Sequence, residues 1–169
     1  MIYELAKTED LQTVYEIVQH TIKAIYPNYY PQEVVKFFCK HHGKEAISKD
    51  IENGSVSVLK IDGKIVATGS SMENHITRVY VLPEFQKKGY GTYMIKNMEA
   101  QISNQYEKAY LDASLPAAAL YEKLGYTTIK HERYPLENHV ILVYEIMEKE
   151  LYKVSSDIIT MEEKDRQVP

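Results

Sequence analysis

The stretch that decides the fold is Val79-Tyr80-Val81-Leu82-Pro83-Glu84-Phe85-Gln86-Lys87-Lys88-Gly89-Tyr90-Gly91-Thr92. It predicts a strand that runs into a glycine-containing loop and then into a helix. Such a loop aims several backbone N–H groups at one point, where the positive end of the helix dipole also attracts an anion. Gly89 and Gly91 suit this geometry, because a β-carbon would hold the backbone away from the anion. The segment predicts a phosphate site; the alternative is that the two glycines only turn the chain.

The apolar spacing before this stretch predicts helices followed by strands. An opening strand over residues 2–6 precedes three helices, after which the period changes to that of strands. Asp62-Gly63 joins two β-rich runs, which indicates a hairpin because both central residues of a type I′ turn need positive φ. A second turn near Asn74 leads to a strand over residues 75–82. The consequence is a three-stranded antiparallel meander.

The pattern after the stretch predicts a helix, a strand, a second helix and two final strands. The middle strand covers residues 108–112, and the helix that follows covers residues 114–124. The two final strands cover residues 126–131 and 139–147, with Pro135 in the loop between them.

Length and composition predict one ordinary domain. The chain has 169 residues, of which 44% are apolar, and its single cysteine, Cys39, suits a reducing compartment and forms no intrachain disulfide. We expect the domain to cover residues 1–148, with residues 149–169 as an extension that is partly helical or mobile. The apolar runs are far shorter than the roughly 20 residues of a membrane span, and the N-terminus lacks the pattern of a signal peptide. We therefore expect a cytoplasmic protein without a membrane partner.

The charge pattern indicates that nucleic acid is not a partner. The formal net charge is −4, and the chain has no block of like charges. Binding to phosphate backbones normally shows as a basic excess or stripe.

Two motifs in the chain resemble those of the GNAT superfamily of N-acetyltransferases. Gln86-Lys87-Lys88-Gly89-Tyr90-Gly91 fits the pattern Gln/Arg-x-x-Gly-x-Gly/Ala, and Ala118-Ala119-Leu120-Tyr121-Glu122-Lys123-Leu124-Gly125-Tyr126 resembles the second motif of that family. The resemblance implies an α/β fold with a mixed, mostly antiparallel sheet of about seven strands. Its central parallel pair is splayed, and helices flank the sheet.

The resemblance implies acetyl-CoA as the donor. Its pyrophosphate would lie on the backbone of residues 87–92, and its pantetheine arm would lie beside residues 79–81, where the two central strands separate. Ser114 stands where many family members carry an asparagine, so its hydroxyl would replace that contact, or Ser114 would only cap the following helix. The expected cofactor-binding residues are Val79, Tyr80, Val81, Gln86, Lys87, Lys88, Gly89, Tyr90, Gly91, Thr92 and Ser114.

Acetyl transfer to an amine needs a base and an acid. His75 is the candidate base, because histidine suits proton transfer near neutrality and the resemblance places it at a position where family members carry a base. Strand alternation predicts that His75, Thr77, Val79 and Val81 share one face. Glu73 is the alternative base. Tyr121 matches the tyrosine that serves the family as general acid.

The acceptor is expected to be a primary amine of a small molecule or peptide. Tyr26, Tyr29 and Tyr30 are candidate substrate contacts, since aromatic rings attract ammonium groups; plain packing is the alternative. His41-His42 lacks partners at metal-ligand spacing, so no metal is proposed.

Two other functions stay open on the sequence alone. One is a non-catalytic acyl-CoA-binding module on the same fold, and the other is an interaction protein with a tyrosine-rich surface. Homodimers are common in the resembled family, so we note a homodimer as a candidate assembly.

Overall fold

The computed structural model describes residues 1–152, which form one seven-stranded sheet with helices on both faces. In chain order the elements are β1 (Ile2–Leu5), α1 (Leu11–Ile25), α2 (Gln32–His41), α3 (Lys44–Glu52), β2 (Val56–Ile61), β3 (Lys64–Met72), β4 (His75–Val81), α4 (Tyr90–Ile102), β5 (Lys108–Ser114), α5 (Leu115–Lys123), β6 (Thr127–Pro135) and β7 (Ile141–Glu150). The expected residues 149–169 extension begins inside β7, and its part beyond residue 152 lies outside the described residues.

The sheet confirms the predicted fold class. Its strand order is β1-β2-β3-β4-β5-β7-β6, and every neighbouring pair is antiparallel except β4 with β5. The predicted hairpin joins β2 to β3, with Asp62 at φ 50° and Gly63 at φ 80°. Both angles are positive, as the tight turn requires.

Each face of the sheet has its own apolar core. On one face α1, α2 and α3 bury Val18, Ile22 and Val34 against the sheet, and on the other α4 and α5 bury residues such as Met94 and Leu111. A fully buried aliphatic side chain of this kind contributes roughly 1.5–3 kcal/mol. The two layers hold the central strands rigidly between them.

The parallel pair β4 and β5 is joined only at its beginning. Within the described residues, His75 pairs with Tyr110 and Ile76 pairs with Leu111, and no further pairs follow along the two strands. Beyond this point the strands separate. The separation leaves backbone N–H and C=O groups of both strands without strand partners, which a continuous sheet would not permit.

A β-bulge in β4 changes which residues of the strand share a face. Against β3, Arg78 pairs with Ser70 but Ile76 pairs with Ser71, so Thr77 is an extra residue in β4. Directly paired residues share a face, and the insertion therefore shifts the alternation by one position. The prediction that His75 shares a face with Val79 and Val81 is wrong.

The bulge puts Arg78 and Tyr80 on the face that His75 occupies. That face is covered by α1, α2 and α3, and Tyr80 is part of the core there. Val79 and Val81 instead pack with Ile76 in the core beneath α4 and α5.

The last strands are longer than the sequence pattern predicts. Strand β6 continues through Tyr134 to Pro135, which ends it rather than lying in a loop, and β7 reaches Glu150. Proline is tolerated here because β6 is an edge strand of the sheet. Lys149 near the end of β7 donates two hydrogen bonds to the Glu99 carboxylate on α4, at 2.8 and 2.9 Å. This ion pair fastens the final strand to the helical layer.

Candidate active site

The loop of residues 86–92 presents free backbone amides at the start of α4. Lys87 has φ +60°, Gly89 has φ +83°, and the helix begins at Tyr90. Within residues 1–152, no acceptor receives a hydrogen bond from the amides of residues 87–92. The Gln86 side chain donates to the Val81 carbonyl at 2.9 Å and so fixes the loop to the end of β4. Free amides at the start of a helix are suited to binding an anion.

A cavity of about 500 Å³ runs from this loop to the separated strands. Every predicted cofactor-binding residue except Lys88 lines it. Lys88 lies over the Phe85 ring, with Nζ 5.1 Å from the ring centroid. The other lining residues are Thr21, Ile25, Tyr26, Pro116, Ala117, Leu120, Tyr121 and Lys123. We call this space the donor cavity.

A second cavity of about 370 Å³ lies on the other side of the separated strands. Its walls come from α2, β4, β5, α5, β6 and β7, and from the segment between α1 and α2. Its lining residues are Tyr26, Phe37, Phe38, His41, His42, Ile76, Thr77, Arg78, Val79, Tyr80, Asp112, Ser114, Ala117, Tyr121, Tyr134, Leu142 and Tyr144. We call this space the acceptor cavity.

Tyr121 and a hydrogen-bonded group of side chains line both cavities. The Tyr26 hydroxyl bonds to the Tyr80 hydroxyl at 3.3 Å and to Ser114 Oγ at 3.1 Å. Burial raises the pKa of Tyr121 well above its ordinary value, with a further contribution from Tyr26. The Tyr121 phenol is therefore protonated across the physiological range, as a proton donor must be.

Ser114 precedes α5 but does not cap it through its side chain. Its hydroxyl bonds to Tyr26, and the Tyr30 hydroxyl accepts the hydrogen bond from the Leu115 N–H instead, at 2.8 Å. The same Tyr30 hydroxyl donates to the Val143 carbonyl at 3.1 Å. Burial raises the pKa of Tyr30 to about 12, so this hydroxyl keeps its proton. Tyr30 therefore ties α5 to β7.

The three tyrosines expected to contact the acceptor have different positions. Tyr26 is buried and lines both cavities. Tyr30 lines neither cavity, and Tyr29 is 51% exposed and also lines neither. The structure thus assembles one of the three at the site.

The candidate base His75 lies at the closed end of the separated strands. It lines neither cavity, and its Nε2 lies 3.3 Å from the Asp112 carboxylate, which does line the acceptor cavity. Glu73, the alternative base, lies in the turn before β4 with φ +54° and lines neither cavity. His75 therefore reaches the acceptor cavity by way of Asp112.

Sequence reasoning did not assign three polar residues of the acceptor cavity to the site. Arg78 makes an ion pair with Asp50 of α3, and its side chain is only 9% exposed. Burial lowers the pKa of His42 to about 3, with smaller contributions from the charges of Arg78 and His41, so its ring is neutral. The third residue is Asp112. The bulge at Thr77 is the feature that brings Arg78 here, and a single strand gives no sequence signal for it.

Two negative findings hold for residues 1–152. They contain no group of three or more histidine, cysteine, aspartate or glutamate side chains arranged to hold a metal ion. None of their helices has the length and apolar character to cross a membrane.

Comparison with known proteins establishes the class to which this site belongs. Residues 25–151 match the family described as an acetyltransferase (GNAT) domain. The match covers well over half of the chain, and the chain belongs to the GNAT family of acetyltransferases.

Individual relatives agree with this assignment. An N-alpha-acetyltransferase of Saccharolobus solfataricus is 25% identical over 138 residues, which cover 74% of this chain and 79% of the relative. A GCN5-related N-acetyltransferase of Rhodopseudomonas palustris shares the fold with a TM-score of 0.80 and 22% identity, over 89% of this chain and 95% of its own. YncA of Salmonella typhimurium, solved with its cofactor acetyl-CoA, has a TM-score of 0.69 and 16% identity over 92% and 96% of the two chains.

Proposed function

We propose that this protein transfers an acetyl group from acetyl-CoA to a primary amine by direct attack within a ternary complex. The observation that carries the proposal is the meeting of two cavities at Tyr121. One cavity begins at the free amides of residues 87–92 and the other opens on the opposite side of the separated strands. A donor in the first and an acceptor in the second would bring their reacting groups together without an intermediate on the protein.

The donor cavity fits a coenzyme A thioester. Its loop amides suit a pyrophosphate, and the unpaired edge of β4 suits the amide groups of a pantetheine arm. The acetyl-CoA found in YncA supports the same ligand for this chain. In this proposal the lining residues named above hold the donor, while Lys88 contributes only positive charge at the loop.

The backbone of β4 supplies the donors for the oxyanion. The Leu82 N–H bonds to the Val66 carbonyl on β3, so the N–H groups of Val79 and Val81 point the other way, toward the gap between β4 and β5. When the amine nitrogen attacks the thioester carbon, the carbonyl π electrons move to oxygen. One of these two N–H groups then stabilises the negative oxygen.

Collapse of the tetrahedral intermediate needs a proton for the departing sulfur. The C–S bond breaks, the electron pair stays on sulfur, and the Tyr121 hydroxyl gives its proton to form the free thiol of coenzyme A. The ammonium group of the acceptor loses one proton before attack, and in this proposal His75 takes it through Asp112 and water at the half-exposed end of the acceptor cavity. After attack the nitrogen loses a second proton, which restores the Tyr121 phenol, and His75 releases its proton to solvent.

The test measures thiol release from acetyl-CoA with a panel of primary amines that includes peptides with a free N-terminus. We expect the wild type to release thiol with at least one amine, and Tyr121→Phe to lower kcat by about 10²- to 10⁴-fold. The KM for acetyl-CoA should change by less than about threefold, because phenylalanine keeps the ring.

Two results would contradict the proposal. If the protein binds acetyl-CoA but no amine promotes thiol release, the non-catalytic binding module is the better description. If acetyl-CoA does not bind at all, the assignment of the donor site is wrong.

The single cysteine of the chain supports a reducing compartment, and we place the enzyme in the cytoplasm on that ground.

A further inference from the structure

The acceptor cavity has one carboxylate in its lining. Among the described residues that line it, Asp112 is the only acidic side chain and Arg78 is the only lysine or arginine. The Asp112 side chain is 48% exposed, so the carboxylate is accessible from the cavity.

The positive charge of Arg78 is already compensated inside the protein. Its guanidinium pairs with the Asp50 carboxylate, and its Nε donates to Ser70 Oγ at 3.2 Å. His42 carries no charge near neutral pH, because burial lowers its pKa to about 3. The inner wall of the cavity is therefore polar without a net charge, and Asp112 sets the sign of the field that an acceptor meets.

Aromatic rings line the same cavity as Asp112. Phe37 and Tyr134 lie against each other with centroids 5.6 Å apart, and Phe37 stacks on His41 at 5.5 Å. Tyr144 lies close to the carboxylate: burial and the charge of Asp112 together raise the pKa of Tyr144. Aromatic faces next to a carboxylate attract an organic cation and its apolar body.

We propose that Asp112 determines acceptor specificity by binding the ammonium group of the acceptor, and that the acceptors are organic cations whose apolar part lies against Phe37, Tyr134 and Tyr144. This inference rests on the proposed function, since it names the class of amine that enters the acceptor cavity. Besides its role as proton acceptor in the proposed function, His75 is a positioning residue here, because its Nε2 contact at 3.3 Å holds the Asp112 carboxylate in place.

The first experiment measures binding and does not depend on turnover. Benzyltrimethylammonium, which cannot be acetylated, is titrated into the wild type, Asp112→Asn and Glu132→Gln by calorimetry. Asp112→Asn keeps the shape of a half-exposed side chain. Glu132 is the matched control, because it lies on β6, two strands away from the strand of Asp112, is ion-paired with Lys130 and does not line the cavity.

We expect Asp112→Asn to weaken the binding of this probe at least about tenfold, and Glu132→Gln to change it by less than about twofold. In turnover, Asp112→Asn should raise the KM for benzylamine by a similar factor while the KM for acetyl-CoA stays the same. Equal binding by wild type and Asp112→Asn would overturn the proposal, and so would equal weakening by both variants. Tighter binding of benzoate than of the cation would overturn it as well.

The positioning role of His75 is tested by a double-mutant cycle. His75→Ala should raise the KM for benzylamine about threefold in the wild-type background and have no effect on it in the Asp112→Asn background. Equal effects in the two backgrounds would show that His75 does not act through Asp112. Acetyl transfer by the wild type together with an unchanged KM in Asp112→Asn would reject this inference and leave the proposed function intact, whereas absence of transfer to any amine would reject the proposed function itself.

Discussion

The two cavities that meet at Tyr121 are built by different means. The phosphate end of the donor cavity is made of main chain from one short segment, residues 86–92, at the start of a helix. The acceptor cavity is made of side chains from many separate elements of the fold. A main-chain N–H group is the same whichever side chain its residue carries, whereas a surface made of side chains changes with each substitution. The donor site is therefore defined by backbone conformation, and the acceptor site by residue identity.

The most direct test of this difference between the two cavities is a substitution at Gly89. Gly89→Val places a β-branched residue at φ +83° and a side chain in the path of the anion, so the loop amides lose their approach to the phosphates. We expect the Kd for acetyl-CoA, measured by calorimetry, to rise at least about 100-fold, because two or more hydrogen bonds to a charged group are lost.

Gly54→Val is the control for backbone strain in that experiment. Gly54 follows α3, has φ +69° and has no heavy atom within 4 Å of an added β-carbon, as is also the case for Gly89. The control should lose a similar amount of stability and keep its acetyl-CoA affinity. Similar affinities in the two variants would show that donor binding does not depend on the loop backbone.

The same difference explains how much could be predicted from the sequence. The donor loop and Tyr121 belong to contiguous motifs, and the resemblance of these motifs to those of a known family was sufficient to predict their roles. The mixed sheet and its central parallel pair followed from the same family resemblance, whereas the order of the strands came from the structure.

Most residues of the acceptor cavity could not be predicted from local sequence patterns. Arg78, His42 and Asp112 come together only through tertiary packing, and each is unremarkable in its own segment. The bulge at Thr77 reverses the faces of the residues after it, so simple alternation predicted the wrong neighbours for His75. The Tyr30 hydroxyl caps α5 from 85 positions earlier in the chain, which no local capping pattern contains.

The acceptor side also gives the protein a pH-dependent stability. The pKa of His42 is about 3 when folded against an ordinary value of 6.5, so the unfolded chain binds more protons between these values. The contribution of His42 to stability is complete above pH 6.5 and is lost as the pH falls toward 3.

We expect the His42 effect to remove about 2 kcal/mol of unfolding free energy between pH 7 and pH 5, as measured by urea denaturation. His42→Phe keeps the stacking on Phe38 and should lessen the pH dependence by that amount. His20→Phe, at an exposed position within α1, is the control and should leave it nearly unchanged. Identical pH dependence in wild type and His42→Phe would refute the prediction.

The smallest effect concerns the tyrosine that the sequence placed in the substrate site. Tyr30→Phe removes the acceptor of the Leu115 N–H and the donor to the Val143 carbonyl, and we expect it to cost about 1–2 kcal/mol of unfolding free energy. Tyr29→Phe, on the exposed neighbour, should cost less than about 0.5 kcal/mol. If the KM for the amine rises in Tyr30→Phe while stability stays constant, Tyr30 contacts substrate after all.

The bulge at Thr77 has a consequence for the side chains of β4 that follow it. Ser70 and Ser71 are consecutive residues that pair with Arg78 and Ile76, so deletion of Thr77 would leave a regular strand with Arg78 and Tyr80 on the face they occupy now. A regular pairing that kept Thr77 would instead turn Val79 and Val81 to that face. The bulge, and not the identity of the residue at position 77, therefore decides which β4 side chains line the acceptor cavity.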